Sequence, residues 1–130
     1  MSATLGYVIL YVPEVDGAMR FYEAAFGFGR KFLDEGGSYG ELSTGETTLA
    51  FATEDLADSH GIAYRKSRRG GEAGAFEVAF VTEDVENQYR QALDNGATEL
   101  TEPQKMPWGQ TVGYVADPNG FTIEICSPVG

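Results

Sequence analysis

From Leu5 to Val12 the chain alternates, with Val8, Leu10 and Val12 on one side and Tyr7, Ile9 and Tyr11 on the other. That is the two-residue period of a β-strand, and Pro13 ends it. The period then changes. Val15, Ala18, Met19, Tyr22, Ala25 and Phe26 recur at helical spacing before Gly27, which predicts a helix over Glu14–Phe26. Three short strands are expected next, Arg30–Leu33, Ser38–Leu42 and Thr47–Thr53, punctuated by Gly36-Gly37 and by Gly45. Glu54 to Gly74 is polar and glycine-rich around Arg68-Arg69-Gly70-Gly71, and it reads as a long loop or linker.

The same order then returns. Ala75–Val81 alternates as a strand, and a helix from Asp84 places Val85, Tyr89, Ala92 and Leu93 on one stripe before Gly96. Strands are expected over Glu99–Glu102, Thr111–Ala116 and Phe121–Cys126. The last two are joined by Asp117-Pro118-Asn119-Gly120, a strong hairpin signal. An offset of 70 residues sets Tyr7 on Glu77, Val8 on Val78, Leu10 on Phe80, Val15 on Val85 and Arg20 on Arg90. The chain is thus expected to be an α+β protein of two similar βαβββ modules, 4–54 and 75–128, joined by a linker at 55–74. A module of about 55 residues buries too little surface to stand alone, so the two should pair within one domain.

Composition narrows the function. The 130 residues carry 20 acidic and 9 basic side chains, a formal net charge of −11, which would repel nucleic acid and anionic lipid alike. Cys126 is the only cysteine and His60 the only histidine, so one chain can form neither an internal disulfide nor a multi-histidine metal site. No stretch approaches the roughly 18 apolar residues of a membrane span. The first residues, Met1-Ser2-Ala3-Thr4, lack the basic region of a signal peptide, and a cytoplasmic location is expected.

Leu5 to Pro13, then Phe21-Tyr22 and Phe26-Gly27-Phe28, resemble the opening of the vicinal oxygen chelate superfamily. That superfamily holds the glyoxalases, the bleomycin-resistance proteins and the extradiol dioxygenases. The ending Asp117-Pro118-Asn119-Gly120-Phe121-Thr122-Ile123-Glu124-Ile125 is similar to its closing "DPDG…E" strand. The resemblance implies that eight strands curl into a cup, usually within a homodimer, with helices outside and a small-molecule ligand inside. Val8, Leu10, Leu49, Phe51, Val78, Phe80, Ile123 and Ile125 would pack under the helices. Tyr7, Ile9, Ala50, Glu77, Ala79, Glu124 and Cys126 would line the cup.

Metal-dependent members hold their ion with four cup-facing side chains, typically His or Gln, Glu, His and Glu. Carried over, those positions are Tyr7, Ala50, Glu77 and Glu124. A phenol replaces the first ligand, Ala50 has no donor, and two hard carboxylates remain. No cofactor is therefore expected, with a weakly bound divalent ion on Glu77 and Glu124 as the alternative. Met106-Pro107-Trp108-Gly109-Gln110 is similar to a segment of the antibiotic-binding branch, where Trp108 would stack on a flat ligand. Its plain structural role would be to plug the end of the sheet or to form a dimer contact. Glu77 and Glu124 are read either as a solvated face or as an acid pair. His60 has no assigned role, and Arg65, Lys66, Arg68 and Arg69 form either a lid or a solvated loop.

Three functions follow. The first is a metal-free binding protein for a flat or cationic ligand, with Tyr7, Ala50, Glu77, Trp108 and Glu124 as contacts. The second is a metal-dependent lyase, isomerase or extradiol-type dioxygenase. The third is a metal-free enzyme with Glu77 or Glu124 as its base and Tyr7 as a donor to a developing oxyanion. The missing ligands favour the first.

Overall fold

The computed structural model describes residues Met1–Val129. Their elements run β1 Tyr7–Val12, α1 Val15–Phe26, β2 Gly29–Leu33, β3 Tyr39–Ser43, β4 Thr48–Thr53, α2 Glu54–Ser59, β5 Val78–Val81, α3 Val85–Asp94, β6 Thr98–Lys105, β7 Thr111–Ala116 and β8 Thr122–Cys126. They form two four-stranded sheets, ordered β1-β4-β3-β2 and β5-β8-β7-β6. The α+β reading with βαβββ connectivity is what is observed. Compact units comprise 1–23 with 27–66, and 24–26 with 67–130.

The first sheet follows from its alternation. β1 lies parallel to β4, pairing Ile9 with Ala50 and Leu10 with Phe51, because α1 and the β2–β3 hairpin intervene before the chain returns. Leu10, Val12, Leu42, Leu49 and Phe51 are buried on the face that α1 covers with Val15, Met19 and Tyr22. Tyr22 meets Phe51 with ring centroids 5.4 Å apart. The close approach explains Gly40, where a Cβ would run into the Met19 thioether and a Val15 methyl. Glu14 is the N-cap of α1, its carboxylate accepting from the Gly17 amide at 2.9 Å, and Gly27 closes the helix at φ 77°.

The second sheet repeats the plan. β5 is parallel to β8, with Val78 on Ile123 and Ala79 on Glu124, and Ile123, Ile125 and Val115 are buried. α3 contributes Val85, Tyr89 and Ala92 to this core and is capped by Asp84. The Asp117–Gly120 turn is built as its residues suggest. The buried Asp117 carboxylate accepts from the amides of Asn119 (2.8 Å) and Phe121 (3.0 Å), and Gly120 adopts φ 90°.

Four expectations need correcting. The stretch from Glu54 is not all loop, since Glu54–Ser59 forms α2, with Thr53 as N-cap accepting from the Leu56 amide at 3.2 Å. β5 starts at Val78 rather than Ala75, because its partner β8 begins only after the turn and leaves 75–77 without a ladder. β6 runs past Glu102 to Lys105 through Pro103, which an edge strand with two register irregularities tolerates. Val8, Val78 and Phe80, expected in the core, are only half-buried.

Candidate functional site

On the second sheet, alternation turns one set of side chains away from the helix-covered core. Ala79 and Val81 of β5, Glu124 and Cys126 of β8, and Val112 and Tyr114 of β7 share this face. The register sets Ala79, Glu124 and Tyr114 in one row across three strands, with Val81, Cys126 and Val112 in the next. Glu77 immediately precedes β5, two residues from Ala79, so it falls beside Glu124.

The Tyr114 hydroxyl donates to Glu124 Oε1 at 3.1 Å, and Glu77 is hydrogen-bonded to Glu124 on the other side. The hydrogen bond to Glu124 holds the Glu77 pKa above the ordinary carboxylate range, with partial burial and repulsion from the same neighbour adding to it. The Tyr114 pKa is raised by burial first and then by its bond to Glu124. Burial also pushes the Cys126 thiol up to about 11, keeping it protonated at neutral pH. Among the described residues no ion pair engages Glu77 or Glu124.

Tyr7 and Ala50 lie in the other unit. Tyr7 is half-exposed on β1, while Ala50 is fully buried on β4. Ala50 pairs with Ile9 as Glu124 pairs with Ala79, so Ala50 occupies the place in the first sheet that Glu124 occupies in the second. By the same register Glu41, opposite Ala50, stands where Tyr114 stands. Glu41 accepts from the Tyr39 hydroxyl at 2.8 Å and faces Lys31 Nζ at 3.9 Å. The Tyr39 pKa is pushed up to about 12 by burial and by that bond. Neither Tyr114 nor this Tyr39–Glu41–Lys31 group was picked out from the sequence.

Trp108 lies in the turn between β6 and β7 and is 64% exposed, so it does not plug the sheet. Its Nε1 donates to Gln110 Oε1 at 2.7 Å. His60 caps the end of α2 in an exposed position. Arg69 is not a free lid residue, because it donates to Thr98 Oγ1 (3.1 Å) and to the Gly96 carbonyl (3.0 Å).

The four donor positions that the resemblance implies for a metal are poorly furnished. Ala50 presents a methyl group and Tyr7 a phenol, which leaves only the carboxyl groups of Glu77 and Glu124. Among the described residues no group of three or more His, Cys, Asp or Glu is placed to hold an ion. The residues do not fit the superfamily's metal.

The sequence profile of the Glyoxalase/Bleomycin resistance protein/Dioxygenase superfamily matches residues 4–125. No curated protein sequence matches the chain. Among solved structures, a glyoxalase-related enzyme from Fulvimarina pelagi is similar with a TM-score of 0.83 and 23% identity, over 98% of this chain and 89% of that one. A glyoxalase/bleomycin resistance protein/dioxygenase family enzyme from Burkholderia phytofirmans PsJN has a TM-score of 0.82 and 21% identity, over 96% and 98%. TioX from Micromonospora sp. ML1 gives 0.73 and 22%, over 96% and 98%. Likeness at these identities speaks to fold alone, and the profile covers nearly the whole chain. The protein therefore belongs to the glyoxalase/bleomycin resistance protein/dioxygenase superfamily.

Proposed function

We propose that the protein binds a flat, positively charged small molecule without a metal, on the face of the second sheet that carries Glu77 and Glu124. One observation carries this reading: Glu77 and Glu124 lie side by side on a partly exposed face, the Glu77 pKa is raised by that neighbour, and among the described residues no cationic side chain pairs with either. A cationic ligand would relieve the repulsion between the acids. Trp108 would stack on the ligand. In this reading the protein acts as a cytoplasmic homodimer and needs no divalent ion.

Replacing both glutamates by glutamine should abolish affinity for a planar aromatic cation. Calorimetric titration of the two proteins reads this. Unchanged affinity in the double variant would refute the charge argument.

The Tyr114–Glu124–Glu77 group also favours a second reading, a metal-free enzyme in which one glutamate moves a proton, since the Glu77 pKa is raised above the ordinary carboxylate range. Glu124→Gln separates the two. In an enzyme it would leave ligand binding and remove turnover, whereas in a binding protein it weakens capture and there is no turnover to lose.

A further inference from the structure

The indole of Trp108 has a single polar group, the Nε1–H, and it is spent inside the protein on Gln110 Oε1 at 2.7 Å. The other end of the Gln110 amide is also engaged, Nε2 donating to the Ser127 carbonyl at 2.8 Å. With both ends occupied, the amide has one orientation, acceptor toward the indole. Ser127 is itself clamped to the first residue of β7, its Oγ accepting from the Thr111 amide at 2.8 Å and its amide donating to the Thr111 carbonyl at 3.0 Å. The turn beneath closes with the Met106 amide on the Gln110 carbonyl (2.7 Å) and the Gly109 amide on the Met106 carbonyl (2.9 Å), with Gly109 at φ 103°.

Such a chain of bonds is unusual for a side chain that is 64% exposed. An exposed tryptophan of no consequence would need no fixed orientation, and ordering it costs conformational entropy. With its N–H consumed, the indole offers a partner only its two π faces, whose negative quadrupole favours aromatic rings and above all planar cations over hydrogen-bond acceptors. Gln110 continues the alternation of Val112 and Tyr114, which the register sets opposite Cys126 and Glu124.

We propose that Gln110 is the positioning residue of the binding site: it holds Trp108 as a preset stacking platform for a planar, delocalised cation. The proposal rests on the small-molecule-binding reading above. It goes further in naming the residue that orients the tryptophan and in excluding recognition through the indole N–H.

Trp108 is the only tryptophan, so its fluorescence reports on this platform alone. In ligand-free protein, time-resolved anisotropy should show little fast local motion, and Gln110→Ala should introduce it and raise the accessibility of the indole to acrylamide. Gln110→Met, which keeps bulk but neither hydrogen bond, should behave like Gln110→Ala; a Met variant as ordered as the native protein would overturn the assignment. With 1-methylnicotinamide as the planar cation and nicotinamide as its neutral counterpart, the native protein should show saturable quenching by the cation only. Either Gln110 variant should weaken that binding by about three- to ten-fold, the span of a single hydrogen bond. Lost order with unchanged affinity would overturn the role in binding. Lost order in the variants without saturable quenching in the native protein would refute the binding reading itself, while Gln110 still held the indole.

Discussion

Glu77 is exposed and Cys126 buried, yet both titrations are governed by Glu124 and by burial on one sheet face. For Glu77 the folded-state pKa lies above the unfolded one. The folded chain therefore holds more protons than the unfolded chain between the ordinary carboxylate range and the raised value, and stability falls as pH rises through that window. Glu77→Gln should remove the fall. Urea denaturation across a pH series from about 4 to about 7 should show the variant gaining on the native protein as pH climbs. Parallel curves would contradict the shared hydrogen bond. For Cys126 the expectation is inertness: the native protein should resist a thiol reagent at neutral pH and react only on unfolding. Rapid labelling of the folded chain would contradict the burial assigned to it.

At the scale of elements, the hairpin of β7 and β8 sets the site. Its turn fixes the register that places Tyr114 opposite Glu124. Gly120 serves this turn twice, through its φ of 90° and because a Cβ there would strike the Arg68 carbonyl. Ser67 reinforces the same approach, its Oγ donating to the Asn119 carbonyl at 2.7 Å. Gly120→Ala should therefore destabilise the protein by about 2 kcal/mol or more, measured by denaturant unfolding. A loss within about 0.5 kcal/mol would mean that the linker does not press on this turn. Thr53→Ala, which removes the cap of α2, should cost about 1 kcal/mol by the same measurement. A neutral effect would show that the six-residue helix is held by packing alone.

Most strands and both long helices were legible because their periods are clean and their ends carry Pro13, Gly27, Gly96 and the Asp117–Gly120 turn. α2 was not, since Glu54-Asp55-Leu56-Ala57-Asp58-Ser59 has too few apolar residues to show a period, and its sign is the Thr53 cap. Of the site, Glu77 and Glu124 were legible as face positions. Tyr114 was missed because its closeness to Glu124 depends on cross-strand register, although the hairpin turn and the alternation of Thr111–Ala116 together contained it. The Tyr39–Glu41–Lys31 group escaped for the same reason.

For the molecule as a whole, two units with the same strand order carry different chemistry at matching places: Ala50 in one where Glu124 stands in the other, and Glu41 where Tyr114 stands. The shared plan explains membership of the superfamily, and the unlike side chains give the two matching positions different chemistry. A net charge of −11 adds a long-range attraction for cations. Affinity for a cationic ligand should thus decline as sodium chloride rises from about 10 mM to about 500 mM, while a neutral counterpart is unaffected.

The central claim is metal-free capture of a planar cation by the glutamate pair. Its most direct test is calorimetric titration of the EDTA-treated protein with a panel of planar aromatic cations, beside the Glu77→Gln/Glu124→Gln variant. Saturable binding to the native protein and none to the variant is the expected result. Binding that survives in the variant, or that appears in the native protein only after a divalent ion is restored, would contradict it.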